Sequence, residues 1–256
     1  MNTYPVLPLR NTVLFPNQII PIYIGRKQSL NLIDSVSKID DKKIIVVAQK
    51  DGKVELPKKE DFYAVGTLAT VMKVFDMPDN SKSAIVKGIR RVNIGKYSQV
   101  DSYFKAEFTE VEEVLGDDAE LEALCGNLKS MFTGLIEIAP YLSEEQANLL
   151  INIQEPSLIA DKAISVMNIQ TAEKQKILDE VDISKKIQQA LVIINKEIQR
   201  LELGDKIQSD VQDEISKSQK EYYLREQMKA IKKELGEDES NIEVKELEDK
   251  VKKAQM

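Results

Sequence analysis

The sequence predicts an α+β protein: a small, partly open β-barrel first, an all-α helical bundle second, and one very long helix last. Three features lead there. Over roughly the first hundred residues, apolar residues come in short β-branched runs broken by Pro and Gly. Near Leu115-Gly116-Asp117 the apolar period lengthens to that of a helix. From Ile183 to Leu235 strong helix formers run without a proline and with only Gly204 as a glycine.

In chain order, Tyr4 to Leu9 alternates around Pro5 and Pro8, which predicts an edge or irregular strand. Arg10-Asn11-Thr12 reads as a turn, and Val13 to Phe15 and Ile19 to Ile24 are apolar runs broken by Pro16 and Pro21. Leu30, Ile33 and Val36 share one helical face, predicting a short helix that lies on the sheet. Ile44 to Ala48 is a continuous apolar run, as in a strand covered on both faces. Val65 to Phe75 and Ser83 to Ile94 read as a hairpin across the loop Met77-Pro78-Asp79-Asn80, with Gly88 marking a bulge. Phe104, Ala106 and Phe108 then alternate along a half-buried strand, and short strands with one helix fit a small barrel.

The helical part opens with Leu121, Leu124, Leu128, Met131, Leu135 and Ile138 on one stripe, closed by Pro140. Ser143 and Gln146 have capping-box spacing for a second helix. Pro156 starts a third and Thr171 caps a fourth. The long helix follows from about Asp182. If continuous, it spans on the order of 80 Å at 1.5 Å per residue. Gly204 is a possible kink, at a cost of roughly 1 kcal/mol relative to Ala. Gly236 is placed to stop the helix. Glu243 to Gln255 reads as a further helix, with pairs such as Glu246–Lys250, Glu248–Lys252 and Asp249–Lys253 and few apolar residues. The expected domains are therefore 1–115 (β-rich), 117–182 (bundle), 183–236 (long helix, its first half packed on the bundle) and 240–256 (the start of a further helical segment).

Composition narrows the chemistry. The chain has 256 residues and a net charge of −7, with basic residues interspersed among acids. No basic stripe of the kind nucleic-acid binders carry is visible. There is no histidine, which removes imidazole bases, Ser-His triads and His-containing metal sites. The single cysteine, Cys125, fits a reducing compartment, and no apolar run approaches the roughly 18 residues of a membrane span. A cytoplasmic chain is the expectation. Gly52-Lys53-Val54 and Gly95-Lys96-Tyr97 lack the upstream glycine and the hydroxyl of a phosphate-binding loop. No serine sits in a recognisable nucleophile context. No catalytic, cofactor-binding or metal-ligating residues are therefore assigned.

What remains is surface. Met72, Phe75, Met77 and Pro78 gather at one end of the expected hairpin, and methionine suits adaptable contacts. Ordinary hairpin packing is the plainer account of them. Leu224, Met228, Ile231 and Leu235 form an apolar seam on the long helix, with Tyr223 expected to be exposed and Tyr222 to pack. That seam is either a local helix contact or a place where unfolded polypeptide or a neighbouring subunit docks.

Three stretches carry a resemblance. Lys217 to Glu237 (KSQKEYYLREQMKAIKKELGE) resembles the signature helix that precedes the ATPase module in Lon-family ATP-dependent proteases. Val6 to Pro16 (VLPLRNTVLFP) is similar to the opening of the amino-terminal domain of that family, and VGTLA at 65–69 with VKGIRRV at 86–92 to its central hairpin. The resemblance implies a PUA-like barrel, a bundle and a long helix leading to an ATPase that unfolds substrates for a Ser–Lys protease. This chain then corresponds to the amino-terminal fragment of a bacterial enzyme. By itself it is expected to cleave nothing and to need no cofactor; ATP and Mg belong to the parent.

The resemblance also implies a role: engaging misfolded, damaged and selected regulatory proteins and helping to organise a hexamer, in the cytoplasm and away from membranes. Met72, Phe75, Met77, Tyr223, Leu224, Met228, Ile231 and Leu235 are the candidate contacts to substrate or subunit. The alternative is a mainly structural, oligomerising module with little substrate contact. PUA-like folds can bind RNA, but the acidic balance argues against nucleic acid here.

Overall fold

The computed structural model describes residues 3–100 and 103–235, together with 246, 247 and 249–251. The chain divides into two units, Met1–Gln199 and Arg200–Met256. The class is α+β, as the periodicities require. The first unit holds strands β1 (Thr3–Leu9), β2 (Ile19–Ile24), β3 (Lys43–Ala48), β4 (Val65–Asp76), β5 (Lys82–Val100) and β6 (Tyr103–Glu110). Its helices are α1 (Lys27–Ser37), α2 (Asp118–Ile138), α3 (Glu144–Ile151), α4 (Pro156–Val166), α5 (Thr171–Asp179) and the start of α6 (Ile183–Glu234).

The strand order is β2-β5-β4-β3-β1-β6, and β6 pairs back onto β5. Five strands thus close a ring. β5 is long enough to carry β2 along Lys82–Lys87 and β6 along Val92–Val100. β2 stands outside the ring as the edge strand. The sequence places β1 at an edge because of its prolines, and this is corrected: β1 pairs β6 at residues 3–5 and β3 at residues 6–9. The prolines are accommodated by alternation. Gln49 N donates to Leu9 O, so Leu7 and Leu9 face β3 and Pro8 faces the other side, where β6 pairing has already ended. Pro5 faces β3 one residue before that ladder begins. Neither ladder needs the missing N–H.

Alternation gives the sheet two apolar faces. Val6, Ile45, Val47, Leu68, Val92 and Ala106 point into the ring with Phe62. Leu7, Leu9, Ile44, Val46, Ala69 and Val71 point the other way, beneath Leu32, Ile33 and Val36 of α1 and Ile22 and Ile24 of β2. The expected bulge is present: Leu68 pairs Arg90 and Ala69 pairs Gly88, leaving Ile89 as the extra residue. Gly88 is required there because a Cβ would lie 2.2 Å from the carbonyl oxygen of Phe15.

Inside the ring, Tyr97 packs against Phe62 and Phe104 with its hydroxyl buried and unpartnered. Burial pushes its phenol up to about 12. A tyrosine in an unfolded chain ionises near 10. The folded state therefore keeps a proton that the unfolded state releases in this window, and stability falls as the pH rises from about 10 through 12. Urea melts at about pH 9 and 11 should show this loss in the parent chain and a much flatter response in Tyr97→Phe.

The helical bundle follows the sequence with local shifts. Asp117 caps α2, accepting from Ala119 N and Glu120 N. The buried stripe is Leu121, Cys125, Leu128, Phe132 and Leu135, so Leu124, Met131 and Ile138 fall at its margin. The Ser143–Gln146 capping box forms, whereas Gln170 and not Thr171 is the N-cap of α5. Gln175 Nε2 of α5 donates to Val65 O of β4 (3.0 Å), tying bundle to barrel.

A buried ion network makes the same connection more strongly. Arg91 of β5 donates to both oxygens of Asp161 in α4 (2.7 and 2.6 Å) and to Glu180 O (3.0 Å). Lys186 of α6, wholly buried, donates to Glu113 (2.8 Å) and to Ser157 O (3.1 Å) and lies 3.7 Å from Asp161. Glu113 also meets Arg91 at 3.1 Å. Burial pushes the Asp161 carboxyl up, opposed by Arg91 and Lys186.

In the second unit, α6 continues through Gly204 with no break in the helix. Every residue from Glu202 to Leu235 is exposed. Residues 246, 247 and 249–251 are helical. Gly236 as a helix stop, and the pairs Glu248–Lys252 and Asp249–Lys253, lie outside the described residues.

Candidate functional site

Of the hairpin residues singled out from sequence, register puts Phe75 on an exposed face shared by β2, β5 and β4, while Met72 is an unpaired residue of β4 and Met77 and Pro78 follow its end. Tyr23 of β2 and Phe75 of β4 both stand opposite Ser83 of β5; Pro21 and Lys73 both stand opposite Ile85. Directly opposed residues share a face, so Tyr23, Ser83 and Phe75 form one row and Pro21, Ile85 and Lys73 the next. Ile19 begins a third, opposite Lys87.

A second bulge extends this surface. Val71 pairs Val86 and Lys73 pairs Ile85, so Met72 is an extra residue. A bulge re-aims the side chains that flank it: Val71 is buried, while Met72 and Lys73 both turn outward. Met72 is 54% exposed, Phe75 41% and Met77 42%. Sequence reading missed Ile19, Pro21, Tyr23 and Ile85, whose membership depends on long-range register.

Polar groups hold and rim the patch. Tyr23 Oη donates to Asp79 Oδ2 (2.8 Å), which fixes the ring of Tyr23 beside the β4–β5 turn. Asp79 also accepts from the Ser81 hydroxyl and from Ser81 N (3.1 Å). Those bonds, that of Ser81 first, hold its carboxyl below the ordinary range. Lys82 bridges Asp34 of α1 and Asp76 of β4, both at 2.8 Å, anchoring the hairpin base. Lys73 Nζ lies 4.9 Å from the centre of the Phe75 ring. An apolar patch rimmed by charges in this way is the form taken by protein-contact sites.

The second unit carries the other candidates. Tyr223, Leu224, Met228, Ile231 and Leu235 are all exposed on α6. Tyr222, expected to pack, is 69% exposed, because no described residue covers this part of the helix. Leu203, Ile207, Val211 and Ile215 are exposed further back. Cys125 is buried and burial pushes its thiol up, so it stays protonated. Among the described residues, no group of acidic or sulfur side chains is arranged to hold a metal ion, and no helix is long and apolar enough to cross a membrane.

Comparison with known proteins adds the following. Residues 3–196 match the family model described as the ATP-dependent protease La (LON) substrate-binding domain. The chain is 40% identical over 257 aligned residues to a Lon protease of Koribacter versatilis, covering 99% of this chain and 31% of that protein. It is 34% identical to a Lon protease of Escherichia coli K12, covering 98% of this chain and 32% of that protein. The chain thus spans about a third of the length of the curated relatives it matches. Among solved structures it is similar to the N-terminal domain of Mycobacterium avium complex Lon protease, with a TM-score of 0.63 at 20% identity over 76% of this chain and 98% of that one. A Lon N-terminal domain protein from Xanthomonas campestris has a TM-score of 0.52 at 14% identity, covering 75% of this chain and 98% of that one. At those identities the structures speak for the fold.

Proposed function

The chain belongs to the family of LON substrate-binding domains, and from that premise we propose that it selects unfolded polypeptide for an ATP-dependent serine protease. The parent enzyme would degrade misfolded, damaged and selected regulatory proteins in the cytoplasm, with ATP and Mg acting in modules other than this one. The observation that carries the reading is the exposed apolar face built from Ile19, Pro21, Tyr23, Ile85, Met72, Phe75 and Met77. Folding hides apolar segments, so a shallow surface of adaptable side chains meets mainly chains that have lost their fold. Copies around a ring would multiply a weak contact.

The test is direct. The chain should bind a chemically denatured protein, kept unfolded by alkylation of its cysteines, at least about tenfold more tightly than the same protein in native form. Equal binding of the two forms in an anisotropy titration would remove the reading.

A second reading rests on α6. Leu224, Met228, Ile231 and Leu235 form an exposed stripe, which favours association between copies and a role in organising a hexamer. Its signature is a sedimentation coefficient that rises with concentration in the parent chain and stays at the monomer value in Leu224→Ser/Ile231→Ser.

A further inference from the structure

A groove of about 470 Å³ runs between the end of β1 and strand β2, lined by Leu7 to Arg10, Ile20 to Arg26 and Ser29. Its volume lies in the range of small-ligand sites. Two arginines, Arg10 and Arg26, line it. Arg26 precedes α1, and its Nη2 donates to Gln49 Oε1. Gln49 is itself buried and held through Nε2 by Val54 O (3.2 Å). That leaves the Nη1 of Arg26 buried with no acceptor. Burial first, and then the charge of Arg10, depress the pKa of Arg26; Glu55 is the opposing acid. The first turn of α1 contains no acid and its N-cap no side-chain hydrogen bond.

We propose that this groove binds the free carboxylate at the C-terminus of an extended polypeptide, with Arg10 and Arg26 as the cationic end and β2 as the wall. This deepens the substrate-binding reading above and rests on it. Charge complementarity selects the occupant. A carboxylate in the groove would accept from the exposed guanidinium of Arg10 and neutralise the repulsion between the two arginines that line it. The wall is continuous with the apolar face, since Pro21 and Tyr23 contribute to both. β2 is also the edge strand, its side away from β5 unpaired among the described residues. The end of a chain can therefore lie along β2 with its preceding apolar residues toward the patch, which is the geometry of carboxylate capture beside a strand.

The experiment uses the whole chain and three fluorescent decapeptides of one apolar, uncharged sequence: a free C-terminal acid, the C-terminal amide, and the amide with one internal Glu. The acid should bind at least about tenfold more tightly than the amide. Arg26→Gln should reduce the acid to the level of the amide and leave the amide unchanged. Equal binding of acid and amide overturns the inference while leaving the substrate-binding reading intact. Binding of the internal-Glu amide as tight as that of the acid overturns it too, because a side-chain carboxylate is then sufficient. Loss of acid and amide alike in an Arg26→Gln variant whose circular dichroism shows it folded marks a structural role for Arg26 and overturns its place in the site. The acid-to-amide ratio in the unmodified chain stands whether or not any variant folds. Failure to bind either peptide, together with failure to prefer denatured protein, removes both readings.

Discussion

Asp161→Ala is expected to lower the stability of the chain by about 3–5 kcal/mol, the range found when one partner of a buried ion pair is removed. Arg91 and Lys186 would then share Glu113, the one carboxylate left in the network, which is partly exposed. Arg91 is 4% exposed and Lys186 fully buried, so neither can turn to water without unpacking α4 or the start of α6 from the barrel. Asp161→Asn should cost less than alanine because its amide oxygen still accepts from Arg91. The pair also predicts its own rescue. Arg91→Met, Asp161→Leu and Lys186→Met made together should recover most of the loss, since well-packed apolar groups often replace a buried ion cluster without penalty. Urea unfolding of the single and triple variants measures both effects. A single alanine variant within about 1 kcal/mol of the parent would show that the network holds nothing together.

That network was not legible in the sequence, and the reason is physical. Arg91 lies 70 residues from Asp161 and 95 from Lys186, and each looks locally like an ordinary charge on a strand or helix. Arg90 and Arg91 are adjacent and alternate in facing; Arg90 pairs with Glu110 at the surface while Arg91 is buried against α4. Alternation could have shown that one of the two points in, but not which partner waits there. What periodicity does report, it reported well: most strands, the bundle helices and the long helix fall within a few residues of expectation, since each depends on a local repeat, whereas β5 runs six residues past the expected Ile94. The status of β1 did not, because Pro5 and Pro8 are admissible inside a sheet when the two ladders use different halves of the strand. Tyr222 failed for the opposite reason. A helical stripe shows which residues would pack together, not whether anything is there to pack against.

The candidate surface was half legible in the same sense, and this shapes the second large effect. Met72, Phe75 and Met77 stand close in sequence, whereas Tyr23 reaches them only through the β2–β5 and β5–β4 registers. Tyr23→Ser/Met72→Ser/Phe75→Ser should weaken binding of a denatured protein by about thirtyfold or more, the loss of about 2 kcal/mol or more that marks hot-spot residues. Aromatic anchors dominate such surfaces, so Tyr23 and Phe75 should account for most of it and Met72 for less. Phe75 is only 41% exposed and Tyr23 gives up its bond to Asp79, so the variant should lose some stability, and urea unfolding must show it folded under the binding conditions. Leu56→Ser is the matching control: it is 74% exposed but lies in the β3–β4 connection, outside the rows that form the patch. An unchanged affinity in the triple variant would move substrate contact off the barrel. The exposed stripe of α6 would then be the place to look, with Leu224→Ser/Met228→Ser/Ile231→Ser expected to show the loss that the barrel variant did not.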